Sequence, residues 1–173
     1  LEPLLYGWGV WEQGRAAYLT SLARGEMALH EGLRAVHALE EVGIPVLPMR
    51  GPFAGHRWHG DAGLRWFTDV DVLVPRPALV RAREVMDRLG YQPRQPGVPD
   101  VFYRAVHLHY PLVQPERGLL LDLHWAVDHP FVPHRIVYEE LFTQSRVVDV
   151  GASRWRVPAL VHEVILQVAH LEK

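Results

Sequence analysis

The run from 69 to 74 places acidic residues at alternate positions within an apolar segment. Because successive side chains of a β-strand point to opposite faces of the sheet, Asp69 and Asp71 share one face and the three valines share the other. The valines require a hydrophobic core. The two carboxylates, about 6.6 Å apart along the strand, favour a positive partner. Arginine or a divalent cation could supply it, or water could solvate the pair, and this run alone does not decide which.

A second segment, residues 118–125, has the same facial division. Three leucines and Trp125 alternate on one face, and Asp122 and His124 share the other. A carboxylate on a neighbouring strand would lie about 4.8 Å away across the sheet. Asp122 could therefore join Asp69 and Asp71 as an oxygen ligand of Mg²⁺. An isolated Asp-x-Asp is usually only solvated, so this hypothesis depends on the context of both strands.

Arginines precede the first acidic strand at positions where a triphosphate would need them. Guanidinium groups suit bidentate phosphate binding, which makes Arg50, Arg57 and Arg65 candidates. Gly51 would let backbone N–H groups approach a ligand closely, and the predicted helix 52–59 would direct its N-terminus at an anion. Two alternatives stay open. Arg57 could be an ordinary surface residue, and Arg65 could form a structural ion pair with a strand aspartate.

Histidines offer a competing interpretation of the acidic face. His107 and His109 alternate along a predicted strand, and His124 and Asp122 lie on the next one. Together they could form a transition-metal site. No helical zinc spacing accompanies them, and such histidines more often form hydrogen bonds within a polar sheet face. We therefore rank zinc below magnesium.

Composition limits the classes of protein to consider. The 173-residue chain has a net charge of −2 and no cysteine, which excludes disulfides, thiolate metal sites and a global basic field for nucleic acid or membrane surfaces. No membrane-spanning run or signal peptide is visible, and we expect a cytoplasmic protein. Walker and Rossmann glycine motifs are missing from the sequence, and no serine lies in a nucleophile-elbow context.

Periodicity predicts an α/β (α+β) domain with a small mixed β-sheet flanked by helices. The predicted helices are 10–23, 26–42, 52–59, 77–89, 135–144 and one that begins at 158. The predicted strands are 44–49, 69–74, 101–104, 107–114, 118–125, 146–150 and 155–157. Glycines at 25, 43 and 90 are interpreted as helix ends, and residues 128–134 as a loop.

Several short motifs follow one another in a specific order. They are Leu-Pro-Met-Arg-Gly at 47–51, Leu-Arg at 64–65, Thr-Asp-Val-Asp-Val-Leu-Val at 68–74, Leu-Gly-Tyr at 89–91 and Leu-Asp-Leu-His-Trp at 121–125. This series resembles the uncharacterised nucleotidyltransferase family of the DNA polymerase beta-like superfamily. That family shows a strand ending in Lys-Gly, an arginine before a D-x-D-L-V strand, a helix ending in Leu-Gly-Tyr and a later Asp-Leu-His-Trp strand. The resemblance covers residues 26–170.

The resemblance implies a polymerase beta-like fold and an EC 2.7.7-type reaction. Asp69, Asp71 and Asp122 would hold two Mg²⁺ ions, with Mn²⁺ as an alternative. A nucleoside triphosphate such as ATP would transfer its nucleotidyl group to an acceptor hydroxyl and release pyrophosphate. Asp122 would help deprotonate the acceptor, and Arg65 and the Arg50-Gly51 turn would contact phosphate. The acceptor, which could be a small molecule, a protein or an RNA end, is not identified by the motifs.

Two departures from the family pattern concern the first turn. The superfamily's usual Gly-Ser after the first strand is replaced here by Arg50-Gly51, and the family's lysine is an arginine. A catalytically silent nucleotide-binding or antitoxin-like interaction module of the same fold is the alternative function. We expect residues 1–25 to be an N-terminal helical extension. Residues 26–173 are expected to form the nucleotidyltransferase-like domain, truncated in its C-terminal helical part.

Overall fold

A computed structural model describes residues 8–127 and 136–171 of the chain. Its main sheet has five strands in the order β1-β2-β5-β4-β3. They are β1 (Leu47–Pro48), β2 (Val70–Leu73), β3 (Gln92–Pro93), β4 (His109–Gln114) and β5 (Leu119–His124). A separate two-stranded sheet consists of β6 (Arg146–Val150) and β7 (Ser153–Val157).

Six helices accompany the sheets within the described residues. They are α1 (Trp8–Glu41), α2 (Pro52–His59), α3 (Leu79–Arg88), α4 (Asp100–Val106), α5 (Tyr138–Thr143) and α6 (Leu160–Leu171). A 3₁₀ turn, Arg76–Ala78, leads into α3. The predicted mixed α/β architecture is confirmed. In this part of the chain, no helix combines the length and the hydropathy needed to cross a bilayer.

The two acidic strands lie side by side at the centre of the main sheet. β2 and β5 run parallel, whereas every other neighbouring pair in that sheet is antiparallel. The register makes Asp71 and Asp122 direct Cα partners. In a parallel pair, residues in register direct their side chains to the same face, so the sheet brings both carboxylates together.

The opposite face of these strands forms the core, as their alternation predicts. Val70, Val72, Leu121 and Leu123 are completely buried. They belong to one hydrophobic cluster with the inner face of α1, which supplies residues such as Leu39. Burial of an aliphatic side chain contributes about 1.5–3 kcal/mol. The apolar face therefore fixes which side of the sheet the carboxylates occupy.

The N-terminal helices predicted at 10–23 and 26–42 form one continuous helix, α1. Gly25 lies inside it rather than at an end, so that interpretation was wrong. A Cβ built at Gly25 would lie 2.5 Å from the carbonyl oxygen of Ala62. A glycine is therefore needed where the loop at 62 approaches the helix closely, although glycine destabilises a helix by about 1 kcal/mol relative to alanine.

The segment predicted as a strand at 101–104 is helical. It forms most of α4, in which Tyr103 is buried while Val101 and Phe102 are exposed. Asp100 lies in the first turn, where its charge favours the helix N-terminus. A run of only three apolar residues does not distinguish a strand from a short helix, which explains the error. The predicted loop at 128–134 lies outside the described residues.

Candidate active site

Asp71 and Asp122 form the centre of a polar site on the face of the sheet opposite the core. Asp71 lies within β2 and is 8% exposed, and Asp122 is its partner in β5. Asp69 precedes β2 by one residue and is half-buried. Burial of charged side chains is costly unless a partner compensates for the lost hydration, so the partners of these carboxylates define the site.

His124, the last residue of β5, is a side-chain partner of Asp71. Its Nε2 lies 2.8 Å from Asp71 Oδ1, and its Nδ1 lies 3.1 Å from the carbonyl oxygen of Ala126. A carbonyl oxygen can only accept, so Nδ1 is the nitrogen that donates to Ala126. This bond orients the imidazole and directs Nε2 at the carboxylate. The ring is 2% exposed and is therefore fixed inside the site.

His109 partners Asp122 in the same way. Its Nε2 lies 3.3 Å from Asp122 Oδ2, and β4 places it directly opposite His124 in the antiparallel register. The two imidazole rings are 4.8 Å apart between centroids. The predicted placement of His109 and His124 on facing strands is confirmed. His107, by contrast, is exposed and ends α4 instead of lying on a strand.

A cavity of about 240 Å³ opens over these side chains. Its lining consists of Arg50, Gly51, Arg65, Trp66, Phe67, Thr68, Asp69, Asp71, His109, Asp122 and His124. All six residues expected from the sequence to form the site therefore line one cavity. A cavity that combines convergent carboxylates with guanidinium groups can accept a ligand that carries both cations and phosphate.

Arg50 is the buried cation of this cavity. It is 3% exposed, and its Nε has no hydrogen-bond partner within the described part of the chain. Gly51 follows with φ 62°, a conformation that favours glycine, and a Cβ there would lie 2.8 Å from the carbonyl oxygen of Asp69. The Arg50-Gly51 turn is thus held against the start of the acidic strand. Its guanidinium retains donor capacity for an anion.

Arg65 and Arg57 have different surroundings. Arg65 lines the cavity, and its guanidinium donates to Oε1 of Gln167 in α6 at 3.3 Å. Arg57 lies elsewhere: it pairs with Glu163 at 2.9 Å and stacks over the ring of Trp58. The structure therefore brings Arg50 and Arg65 to the acidic face. It gives Arg57 a structural ion pair.

The electrostatics of the site favour a cation. Burial, reinforced by the charges of Asp69 and Asp71, raises the pKa of Asp122 to about 7, although the nearby His124 opposes the shift. Burial and the charge of Asp71 also raise the pKa of Asp69. Upward shifts of this kind mean that the negative charges are incompletely compensated by the protein. A bound divalent ion would compensate for them.

The sequence did not identify Trp66 as part of the site. Trp66 lines the cavity, yet it is 76% exposed, which is unusual for tryptophan. The one available signal was its position between Arg65 and the acidic strand. Its exposure could not be inferred without the fold.

Comparison with protein families places the chain in one of them. The family described as "Uncharacterised nucleotidyltransferase" matches residues 10–173. The chain belongs to this family. Membership supports nucleotidyltransferase activity in general and a nucleoside triphosphate as substrate. The match also includes residues 10–25, which lie in α1 with the rest of the N-terminal helix. No curated protein matches the sequence.

Proposed function

We propose that this nucleotidyltransferase transfers a nucleotidyl group from a nucleoside triphosphate to an acceptor hydroxyl in a Mg²⁺-dependent reaction, with release of pyrophosphate. The observation that carries the proposal is the register of β2 and β5. It makes Asp71 and Asp122 direct partners at a cavity that also contains the buried, incompletely bonded guanidinium of Arg50.

The residues present suit divalent metal ions. Asp69, Asp71 and Asp122 offer carboxylate oxygens, which are the ligands that Mg²⁺ prefers, and Mn²⁺ accepts the same donors. The raised pKa of Asp122 reflects negative charge that a cation would stabilise. When bound, two such ions would neutralise charge on the triphosphate and activate the acceptor oxygen.

Arg50 and Arg65 are proposed to hold the phosphates. Arg50 is well placed because its buried guanidinium lines the cavity beside the acidic strand, and Gly51 keeps the turn free of a side chain. Arg65 approaches from the loop before β2, where Gln167 orients it. Charge-assisted hydrogen bonds from guanidinium to phosphate contribute about 1.5–3 kcal/mol each.

Asp122 is proposed as the group that receives the acceptor proton. In the reaction, a bond forms between the acceptor oxygen and the α-phosphorus, and the bond from that phosphorus to the pyrophosphate oxygen breaks. The acceptor's proton passes to the Asp122 carboxylate. Asp122 suits this role because its carboxylate lines the cavity beside Asp71.

Transfer of label tests the proposal. The purified protein would be incubated with a cell extract, Mg²⁺ or Mn²⁺, and each nucleoside triphosphate in turn, ATP included, labelled at the α-phosphorus. We expect label to appear on an acceptor with the wild type and to be lost with Asp69→Asn/Asp71→Asn. Asp149→Asn, at an exposed position in β6, is the matched control and should retain transfer. Label transfer that persists in the double variant would exclude the mechanism.

A further inference from the structure

His124 directs one ring nitrogen at Asp71. Because Nδ1 donates to the Ala126 carbonyl at 3.1 Å, Nε2 is the nitrogen that faces the carboxylate. It lies 2.8 Å from Asp71 Oδ1. The arrangement is the usual one for a metal-binding histidine, whose second N–H donates to a backbone carbonyl.

A second nitrogen–oxygen pair lies beside the first. His109 Nε2 is 3.3 Å from Asp122 Oδ2, and the ligating atoms of His109, Asp122 and His124 all lie within 4.8 Å of one another. Metal–nitrogen bonds are about 2.0–2.1 Å, so the ligand atoms around one tetrahedral ion are roughly 3.4 Å apart. The three side chains would need only small movements to bind a single ion.

From these contacts we propose that His109, Asp122 and His124, with Asp71 adjacent, form a binding site for a transition-metal ion of the Zn²⁺ class. Imidazole nitrogen suits Zn²⁺, whereas Mg²⁺ strongly prefers oxygen ligands. Two histidines and one carboxylate are a ligand set found in zinc sites that keep an open position. The cavity above the three side chains leaves that position accessible.

This site goes beyond the proposed function, although it shares Asp122 with it. A carboxylate that binds Zn²⁺ with two histidines is withdrawn from the magnesium ions. Zinc is therefore expected to compete with Mg²⁺ and to inhibit nucleotidyl transfer. The binding itself requires neither nucleotide nor acceptor, so it can be measured independently of the reaction.

Cobalt titration tests the site. The metal-free protein, in excess Mg²⁺ and without nucleotide, would be titrated with Co²⁺ while its visible absorption is recorded, because the intensity of the Co²⁺ bands reports nitrogen ligation and coordination number. We expect one Co²⁺ per chain, bound despite the Mg²⁺ and displaced by one equivalent of Zn²⁺. Absence of Co²⁺ binding in excess Mg²⁺ would overturn the proposal.

Two variants show which side chains hold the ion. His109→Gln alters a half-buried ligand and should weaken Co²⁺ binding by at least tenfold, since loss of even an outer-sphere partner costs about 10–100-fold. His107→Gln changes an exposed histidine whose ring lies 6.1 Å from that of His109, and it should bind Co²⁺ as the wild type does. Because His109 is on the site's rim, the test does not depend on replacing the buried His124.

The outcomes separate this site from the proposed reaction. Unchanged Co²⁺ affinity and absorption in His109→Gln would mean that the histidines are not ligands, and the inference would fail even if label transfer succeeds. Conversely, tight Co²⁺ binding that is lost in His109→Gln would support the site even if no label is transferred.

Discussion

Two buried acidic clusters in this protein differ in how their charge is balanced. In the α1 cluster, Glu31 is completely buried, and it contacts the guanidinium groups of Arg34, at 2.9 Å, and Arg117. Two cations thus surround one carboxylate. In the β2–β5 cluster, Asp71 and Asp122 are neighbours, and each lies beside an imidazole, that of His124 and that of His109 respectively.

From this difference we infer that the α1 cluster serves stability and that the β2–β5 cluster serves binding. A buried carboxylate with two arginines is compensated within the protein, and it ties α1 to the turn after β4. In the β2–β5 cluster, burial and the charges of Asp69 and Asp71 raise the pKa of Asp122, so the ionised form of that carboxylate is incompletely compensated. Functional sites commonly retain such unfavourable charge because the ligand compensates for it. Replacements should therefore have opposite consequences in the two clusters.

The largest expected effect concerns Asp71. Asp71→Asn should reduce nucleotidyl transfer by about 10³-fold or more, because metal ligation contributes several kcal/mol to transition-state stabilisation. The metal-free variant should unfold at the same temperature as the wild type or at a higher one. The Asn amide can form a hydrogen bond with His124, and the carboxylate charge beside Asp69 and Asp122 is removed. The measurements are label transfer per folded protein and thermal unfolding with a chelator. A large loss of stability would show that Asp71 stabilises the fold, as Glu31 is expected to do.

The pH dependence of stability should identify the uncompensated charge. The pKa of Asp122 is about 7 in the folded chain and lower when unfolded, so the folded state binds the proton more tightly. Without metal, its contribution to the free energy of unfolding should fall by about 1.4 kcal/mol per pH unit as pH rises from 4 towards 7, with the penalty complete above 7. The difference in urea unfolding between wild type and Asp122→Asn isolates this slope. Parallel pH curves for the two proteins would contradict it.

Arginine replacements sharpen the comparison through ligand binding. Arg50→Lys should weaken nucleoside triphosphate binding by about tenfold, since an ammonium group does not reproduce the bidentate fork. Arg57→Lys is the matched control, because Arg57 pairs with Glu163 outside the cavity. Equilibrium binding of each triphosphate would be measured with Mg²⁺. Equal affinities for the two variants would show that Arg50 does not bind the phosphates.

The smallest expected effect lies in the α1 cluster. Glu31→Gln should lower the free energy of unfolding by about 1–2 kcal/mol, which is below the usual cost of breaking a buried ion pair. The cost is smaller than usual because the side chains of Arg34 and Arg117 are 35% and 42% exposed, so water can hydrate them after the change. Chemical denaturation gives the value, and transfer per folded protein should be unchanged. Loss of transfer without loss of stability would contradict a purely stabilising role for Glu31.

Much of the site could be predicted from the sequence because its strands alternate so regularly. The apolar positions around Asp71 and Asp122 fix both side chains on the polar face once the core is formed. The motifs that contain Arg50 and Arg65 predicted that both arginines lie near these carboxylates, and both line the same cavity. Roles for the six site residues, and the division of the chain at residue 25, stay predictions.

Other features depended on tertiary contacts that no local pattern records. The pairing of Asp71 with Asp122 is set by a long crossover between β2 and β5, so its register is not visible in either strand. Gly25 appeared to end a helix because its close contact with Ala62 is nonlocal. The separation of Arg57 from the cavity likewise depends on Glu163, which is more than 100 residues away.

Binding of a nucleoside triphosphate, measured with and without Mg²⁺, tests the central claim most directly because it requires no acceptor. Isothermal titration of the wild type should show binding of at least one triphosphate that is much tighter with Mg²⁺ than with chelator. The Mg²⁺-dependent gain should disappear in Asp69→Asn/Asp71→Asn and persist in Asp149→Asn. A gain of the same size in the double variant would show that the β2–β5 carboxylates do not hold the metal with its nucleotide.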